Sequence, residues 1–210
     1  MGVKTLTRFM IENNYSESKK KVVFISPNTI TIVVGRNGYG KTSFIQGLRS
    51  YAKIHNHALV EWSDSEHGRS NGMSSMLWNG NLLGVASMAF HSEGEAMLAS
   101  FGQMFISRVG RTVRKLKEST PKSKKIFLLI DQIDSGLDIH QIDYIKSVLR
   151  DTIIPDINKS GFEAYVILSA NSYELVNGED CIDPVTRSHM RFDTYDEYVN
   201  YITNQYSKGG

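Results

Sequence analysis

Eight consecutive residues, Gly35-Arg36-Asn37-Gly38-Tyr39-Gly40-Lys41-Thr42, fit the spacing of a glycine, four residues, then Gly-Lys-Thr. The residue types have a chemical reason. Glycines let the backbone wrap closely round a phosphate with its N–H groups turned inward. A helix opening near Lys41 adds the positive end of its dipole. Lys41 then reaches the β- and γ-phosphates and Thr42, followed by Ser43, ligates Mg²⁺. A phosphate loop also needs a carboxylate for the metal at the end of a neighbouring strand. The apolar run Ile126–Ile130 ends in Asp131 and supplies one. The two segments together read as a nucleotide site.

The elements that must hold these groups follow from periodicity. Lys21–Ile25 and Thr29–Val34 are rich in β-branched residues, and the turn residues Ser26-Pro27-Asn28 between them predict a paired strand–turn–strand. A helix follows the loop, with Phe44, Ile45, Leu48 and Ala52 on one face. Ala58–Trp62 reads as a strand, Asp64–Ser75 as a polar loop and Leu82–Phe90 as a further strand or strand pair. From Glu93 apolar residues recur every four positions, at Met97, Phe101, Phe105, Val109 and Val113, until Pro121 forbids a helix. Ile126–Ile130 and Ala164–Leu168 are continuous apolar runs of the kind buried on both faces. Ile142, Ile145 and Leu149 return to helical spacing, and the tail from Asn177 predicts a hairpin and a helix around Tyr195–Ile202. Strands alternating with helices predict an α/β fold with a mainly parallel sheet, in one domain over residues 1–210. Residues 22–175 form its nucleotide-binding core and 177–210 a small extension.

At this point the chain resembles a family. Gly-Arg-Asn-Gly-Tyr-Gly-Lys-Thr is similar to the phosphate loop of ABC-type ATPases, and Asp131-Gln132-Ile133-Asp134-Ser135-Gly136-Leu137-Asp138 resembles their Walker B and D-loop run. Ser92-Glu93-Gly94-Glu95 resembles the signature motif in the form seen in chromosome-maintenance and RecF-like ATPases. The resemblance implies a P-loop NTPase fold with an N-terminal antiparallel β portion and a signature helix. It implies ATP and Mg²⁺ as cofactors, with Thr42 and Asp131 on the metal. It further implies two heads packed head to tail, each ATP lying between one phosphate loop and the partner's Ser92, Gly94 and Glu95. Ser135 and Asp138 join the candidate nucleotide set through the D-loop. Ser92 with acids after it also reads as an ordinary helix cap, and both readings can hold at once.

Three positions depart from that family. Gln132 stands where a catalytic Glu is expected; an amide can orient water but cannot accept its proton, so hydrolysis should be weak. The glutamine reads either as introduced, the usual way of trapping an ATP-bound pair, or as native. Asn171 occupies the place of the switch histidine and can hydrogen-bond a γ-phosphate or water without carrying charge. No glutamine lies between Gln46 and Gln103 to serve as the Q-loop residue, and the interval from the phosphate loop to Ser92 is too short for a coiled-coil arm.

Composition narrows the rest. Lys plus Arg is 24 against 22 Asp plus Glu, a net charge of +2, so attraction to nucleic acid is not forced by overall charge. Arg108, Arg111, Arg114 and Lys115, with lysines following, form the one dense basic stretch, readable as a phosphate-tracking surface or as a solvated helix face. Trp62, Trp78 and Tyr39 are candidates to stack on a base. His55, His57, Glu61, Asp64, Glu66 and His67 match no zinc spacing. One cysteine, Cys181, excludes an intramolecular disulfide. With no signal-peptide pattern and no membrane-length apolar run, the chain reads as cytoplasmic, without direct membrane insertion. An ATP-dependent homodimer is the expected assembly, with a second effector subunit as a further partner; the rival readings are an ATP-gated, non-hydrolysing switch or scaffold and a transporter's nucleotide-binding subunit.

Overall fold

The computed structural model describes residues 6–12, 20–63, 93–134 and 137–207. The Asp64–Ser75 loop, the Leu82–Phe90 strand, Trp78, Ser92 and Ser135 lie outside them. Strand alternation builds the centre. In β3 (Thr29–Val34), β5 (Lys125–Asp131) and β6 (Glu163–Ala170), almost every residue is buried, and successive side chains enter two different cores. Ile126, Leu128 and Ile130 face one core; Phe127 and Leu129 face the other. With β4 (Ala58–Ser63), β7 (Asp180–Ile182) and β8 (His189–Met190), these strands make a six-stranded sheet in the order β4-β5-β6-β3-β7-β8. All pairings in it are parallel except the terminal β7–β8 hairpin. One face carries α1 (Lys41–Ile54) and a separate antiparallel ribbon of β1 (Thr7–Glu12) and β2 (Lys20–Ile25). The opposite core is filled from the helices that follow β4, β5 and β6.

The expected pairing of β2 with β3 is wrong. β2 pairs with β1, whereas β3 lies in the main sheet between β6 and β7. Asn28 explains the switch. It adopts a left-handed φ of 61°, its N–H donates to the Ala164 carbonyl at 2.6 Å, and its Oδ1 accepts the Ala164 N–H at 2.9 Å. Ser-Pro-Asn therefore hooks the chain onto β6 instead of folding it back on β2. Asn tolerates this conformation better than most residues with a Cβ.

The strict four-residue apolar spacing after Glu93 also has a structural answer. In a plain α-helix, residues four apart drift about 40° round the axis, so the stripe would rotate off the sheet. Helix α2 (Glu93–Ser100) instead passes through a π-helical turn, Phe101–Ile106, before α3 (Ser107–Glu118). The wider turn removes part of the drift, and Met97, Phe101, Phe105 and Val109 all stay buried. The Phe101 and Phe105 rings stack at 4.9 Å. A second π-helical turn, Val148–Ile153, joins α4 (Ile139–Ser147) to α5 (Ile154–Lys159). It ends two residues before Pro155, which has no N–H to donate and crowds the carbonyl four residues back.

The predicted tail hairpin is β7–β8, but its first strand extends the main sheet by pairing with β3. A four-residue helix missed in the sequence, α6 (Tyr173–Val176), leads into it. Helix α7 (Tyr195–Ser207) closes the described chain and places Tyr198 in the larger core. Among the described residues, no helix is long and apolar enough to cross a membrane.

Candidate functional site

Parallel strands deliver their C-terminal ends to one edge of the sheet, and the candidate residues gather there. β3 runs into the Gly35–Gly40 loop, which opens α1 directly. Gly35 is required by contact: a Cβ there would lie 2.8 Å from the Tyr39 ring. Gly40 is required by conformation, capping α1 with a left-handed φ of 94° while its carbonyl accepts the Phe44 N–H at 2.9 Å. Asn37 is exposed at the loop's tip and Ser43 is half-buried in the first turn of α1.

Lys41 is 6% exposed. Its Nζ donates to the Gly35 carbonyl at 2.6 Å and the Arg36 carbonyl at 3.2 Å. Burial lowers its pKa from the ordinary 10.5, opposed by the carboxylates of Asp134 and Asp131. The next residue reaches the neighbouring strand: Thr42 Oγ1 donates to Asp131 Oδ2 at 3.0 Å. Asp131's other oxygen accepts from Ser169 Oγ at 2.5 Å, and that hydroxyl accepts the Gln132 N–H at 2.9 Å. Thus Thr42, Asp131, Ser169 and the Gln132 backbone form one continuous chain across α1, β5 and β6. The Gln132 side chain is exposed, on a residue with a left-handed φ of 58°.

Asp134 ties the second departure, Asn171, into this edge. Its Oδ2 accepts the N–H groups of Asn171 and Ser172 at 2.6 and 2.7 Å, and the Asn171 carbonyl accepts the Tyr198 hydroxyl at 2.9 Å. Asp134 is 8% exposed and Asn171 is exposed. Neither Ser169 nor Asp134 was singled out from the sequence. The signals were there: Ser169 is a serine at the end of a buried apolar strand, and Asp134 is a second acid three residues after Asp131.

The remaining candidates are placed less centrally. Asp138 is the N-cap of α4 in a capping box: its side chain accepts the Gln141 N–H at 2.9 Å, and Gln141 Oε1 accepts the Asp138 N–H at 3.0 Å. Gly94 and Glu95 fall in the first turn of α2, with Glu95 exposed. Arg108, Arg111 and Lys115 line one groove of about 510 Å³ beside Leu59–Glu61 of the edge strand β4, with Thr112 between them. Arg114 is exposed and does not line it. Arg111, Arg114 and Lys115 make no ion pair among the described residues. His57 hydrogen-bonds Ser123 Oγ at 2.7 Å and stacks on Phe127. Among the described residues, no group of three or more His, Cys, Asp or Glu side chains is arranged to hold a metal ion.

Thr42 and Asp131 nevertheless suit magnesium. A hydroxyl and a carboxylate in mutual contact are hard oxygen donors, and Mg²⁺ takes one or two such protein ligands with the rest from phosphates and water.

Solved structures share this fold. The chain is similar to a nucleotide-free ATP-binding cassette from an ABC transporter, at 11% identity over 95% of this chain and 96% of that one, with a TM-score of 0.50. The fold is that of an ATP-binding cassette. A cassette of an ABC transporter in its ADP conformation aligns with it at 12% identity over 99% and 100% of the two chains, also with a TM-score of 0.50. No protein-family model and no curated protein matches the sequence. Identity this low speaks for architecture alone, so the cassette-like sheet, flanking helices and antiparallel ribbon are common ground and the chemistry must be argued from this chain's own residues.

Proposed function

We propose that this chain is an ATP-binding, Mg²⁺-dependent ATPase head of ABC type, in the branch nearest chromosome-maintenance and RecF-like ATPases. The observation that carries this reading is the direct Thr42–Asp131 contact next to Lys41, which joins phosphate loop and strand-end carboxylate in one site. Lys41 would exchange its two carbonyl partners for phosphate oxygens. Thr42 and Asp131 would hold the metal, which supplies charge neutralisation at the phosphates when bound. Ser169 holds the Asp131 carboxylate and the Gln132 amide in place, so the residue beside the metal ligand is positioned through its backbone.

In this reading two heads associate head to tail around ATP, using Ser92, Gly94 and Glu95 of one copy against the loop of the other, with Ser135 and Asp138 at the contact. The groove of Arg108, Arg111 and Lys115 suits the phosphates of a nucleic acid, and a separate effector subunit is a further candidate partner. The domain acts as one unit, its tail built onto the core through β7 and α7.

Light scattering with and without ATP and Mg²⁺ tests the assembly: the mass should double from the 23.7 kDa chain only with nucleotide. An unchanged mass with ATP bound would remove the homodimer. Gln132 favours a second reading, an ATP-gated switch that does not turn over; a transporter's nucleotide-binding subunit is the weaker rival. Gln132→Glu separates switch from ATPase. Turnover appearing in that variant supports the ATPase, whereas ATP binding without turnover supports the switch.

A further inference from the structure

Helix α7 carries three polar tips on one inward stripe, at spacings of three and four residues. Tyr198 donates to the Asn171 carbonyl at 2.9 Å, Tyr201 donates to Asp183 Oδ2 at 2.6 Å, and Gln205 Oε1 accepts the Arg36 N–H at 2.9 Å. Gln205 is 5% exposed, unusual for an amide in the last turns of a terminal helix. Its partner is no ordinary amide. The Arg36 N–H and the Gly35 carbonyl belong to the same peptide group, and that carbonyl is the one Lys41 Nζ holds at 2.6 Å. The peptide entering the phosphate loop is therefore pinned from both sides, by Lys41 at its oxygen and by Gln205 at its nitrogen. Once Lys41 turns to a phosphate, the Gln205 contact remains on that peptide's nitrogen.

The anchor for this contact is firm. Tyr201 binds a buried carboxylate, Asp183, whose other oxygen accepts the N–H groups of Val185 and Thr186 at 2.7 and 2.8 Å in the β7–β8 turn. The helix is thereby fixed to the sheet four residues before Gln205, and Tyr198 fixes it to the Asn171 loop one turn earlier.

We propose that Gln205 is a positioning residue for polyphosphate binding, holding the Gly35–Arg36 peptide so that the loop's N–H groups and Lys41 converge on the phosphates. The inference rests on the nucleotide reading above. Gln205→Met keeps the side-chain length and removes the acceptor. Phe192→Leu trims the ring that packs on Tyr198 and Tyr201, weakening the same helix's anchorage without removing any group that contacts Gln205.

Calorimetric titration of ATP with Mg²⁺ into the unaltered chain and both variants decides it. Gln205→Met should raise the dissociation constant roughly three- to tenfold, the net worth of one such hydrogen bond, with Phe192→Leu unchanged. Equal affinity in Gln205→Met and the unaltered chain overturns the proposal and leaves the nucleotide reading standing. An equal loss in Phe192→Leu also overturns it, since helix docking alone would then account for the effect. No ATP binding by the unaltered chain overturns both. Amide hydrogen exchange in the unaltered chain needs no variant to fold. Arg36 should be protected to the level of α1 amides, and exchange as fast as at exposed Asn37 overturns the proposal.

Discussion

Two lysines of this molecule are buried to the same degree and are held in different ways. Lys41 is 6% exposed and Lys146 is 7%. Both donate to two backbone carbonyls: Lys41 to Gly35 and Arg36, Lys146 to Glu174 and Asn177 at 3.2 and 2.8 Å. Lys146 has in addition the buried Glu179 carboxylate at 3.4 Å, which Arg150 also contacts. Lys41 makes no ion pair among the described residues; Asp134 and Asp131 act on it only from farther away. A buried ammonium is stable when a carboxylate offsets its desolvation, and Lys146 has that complement in full. Lys41 is left with neutral acceptors and a depressed pKa. It is a cation with its counter-charge withheld, and in the proposed nucleotide reading a phosphate supplies it.

If that contrast is right, substitutions at the two positions should separate binding from stability. Lys41→Ala should lower ATP affinity by about a hundredfold in a calorimetric titration, the value of a charge-assisted contact made only with ligand. Its unfolding midpoint should move little, because it removes a poorly compensated charge. Lys146→Met should do the reverse. Breaking a buried pair costs about 3 kcal/mol, roughly 6–12 °C in melting temperature for a chain of this size, with ATP affinity retained. A loss of binding in both variants would dissolve the distinction.

A finer test uses pH. The folded pKa of Lys41 lies below 10.5, so the unfolded chain binds more protons between the two values. Stability therefore rises with pH across that alkaline window as the penalty of the buried charge is relieved. Phosphate prefers the charged lysine, so ATP affinity should fall across the same window, with proton uptake on binding seen as a buffer-dependent heat. Asp134→Asn keeps an acceptor for the Asn171 and Ser172 amides and removes the larger of the two charges that support Lys41. The fall in affinity should then begin at lower pH. An unshifted profile would mean that Asp134 serves the Asn171 loop alone.

What the sequence disclosed depended on how local the determinant was. The phosphate loop, its helix and the strand ending in Asp131 were legible because glycine spacing and apolar runs carry their own geometry. The β2–β3 pairing was misread because Ser-Pro-Asn serves equally for a hairpin and for a crossing between sheets, and Asn28 is committed by Ala164, far away in sequence. Ser169 acquires meaning only when β6 is laid beside β5. Gln205 is further still from any motif: nothing near it in the chain marks it, and its partner lies 169 residues away. The π-helical turn at Phe101–Ile106 was read as plain helix, although the four-residue spacing of Met97, Phe101, Phe105 and Val109 is one a straight α-helix cannot keep on one side.

The backbone of Gln132 gives this edge of the sheet a further property. A side chain held at a φ of 58° costs about 1–2 kcal/mol over a right-handed conformation, and glycine would occupy the same place without that strain. Gln132 is one of four described non-glycine residues with such a φ, and it stands where an exposed amide lies beside a carboxylate gripped by two hydroxyls.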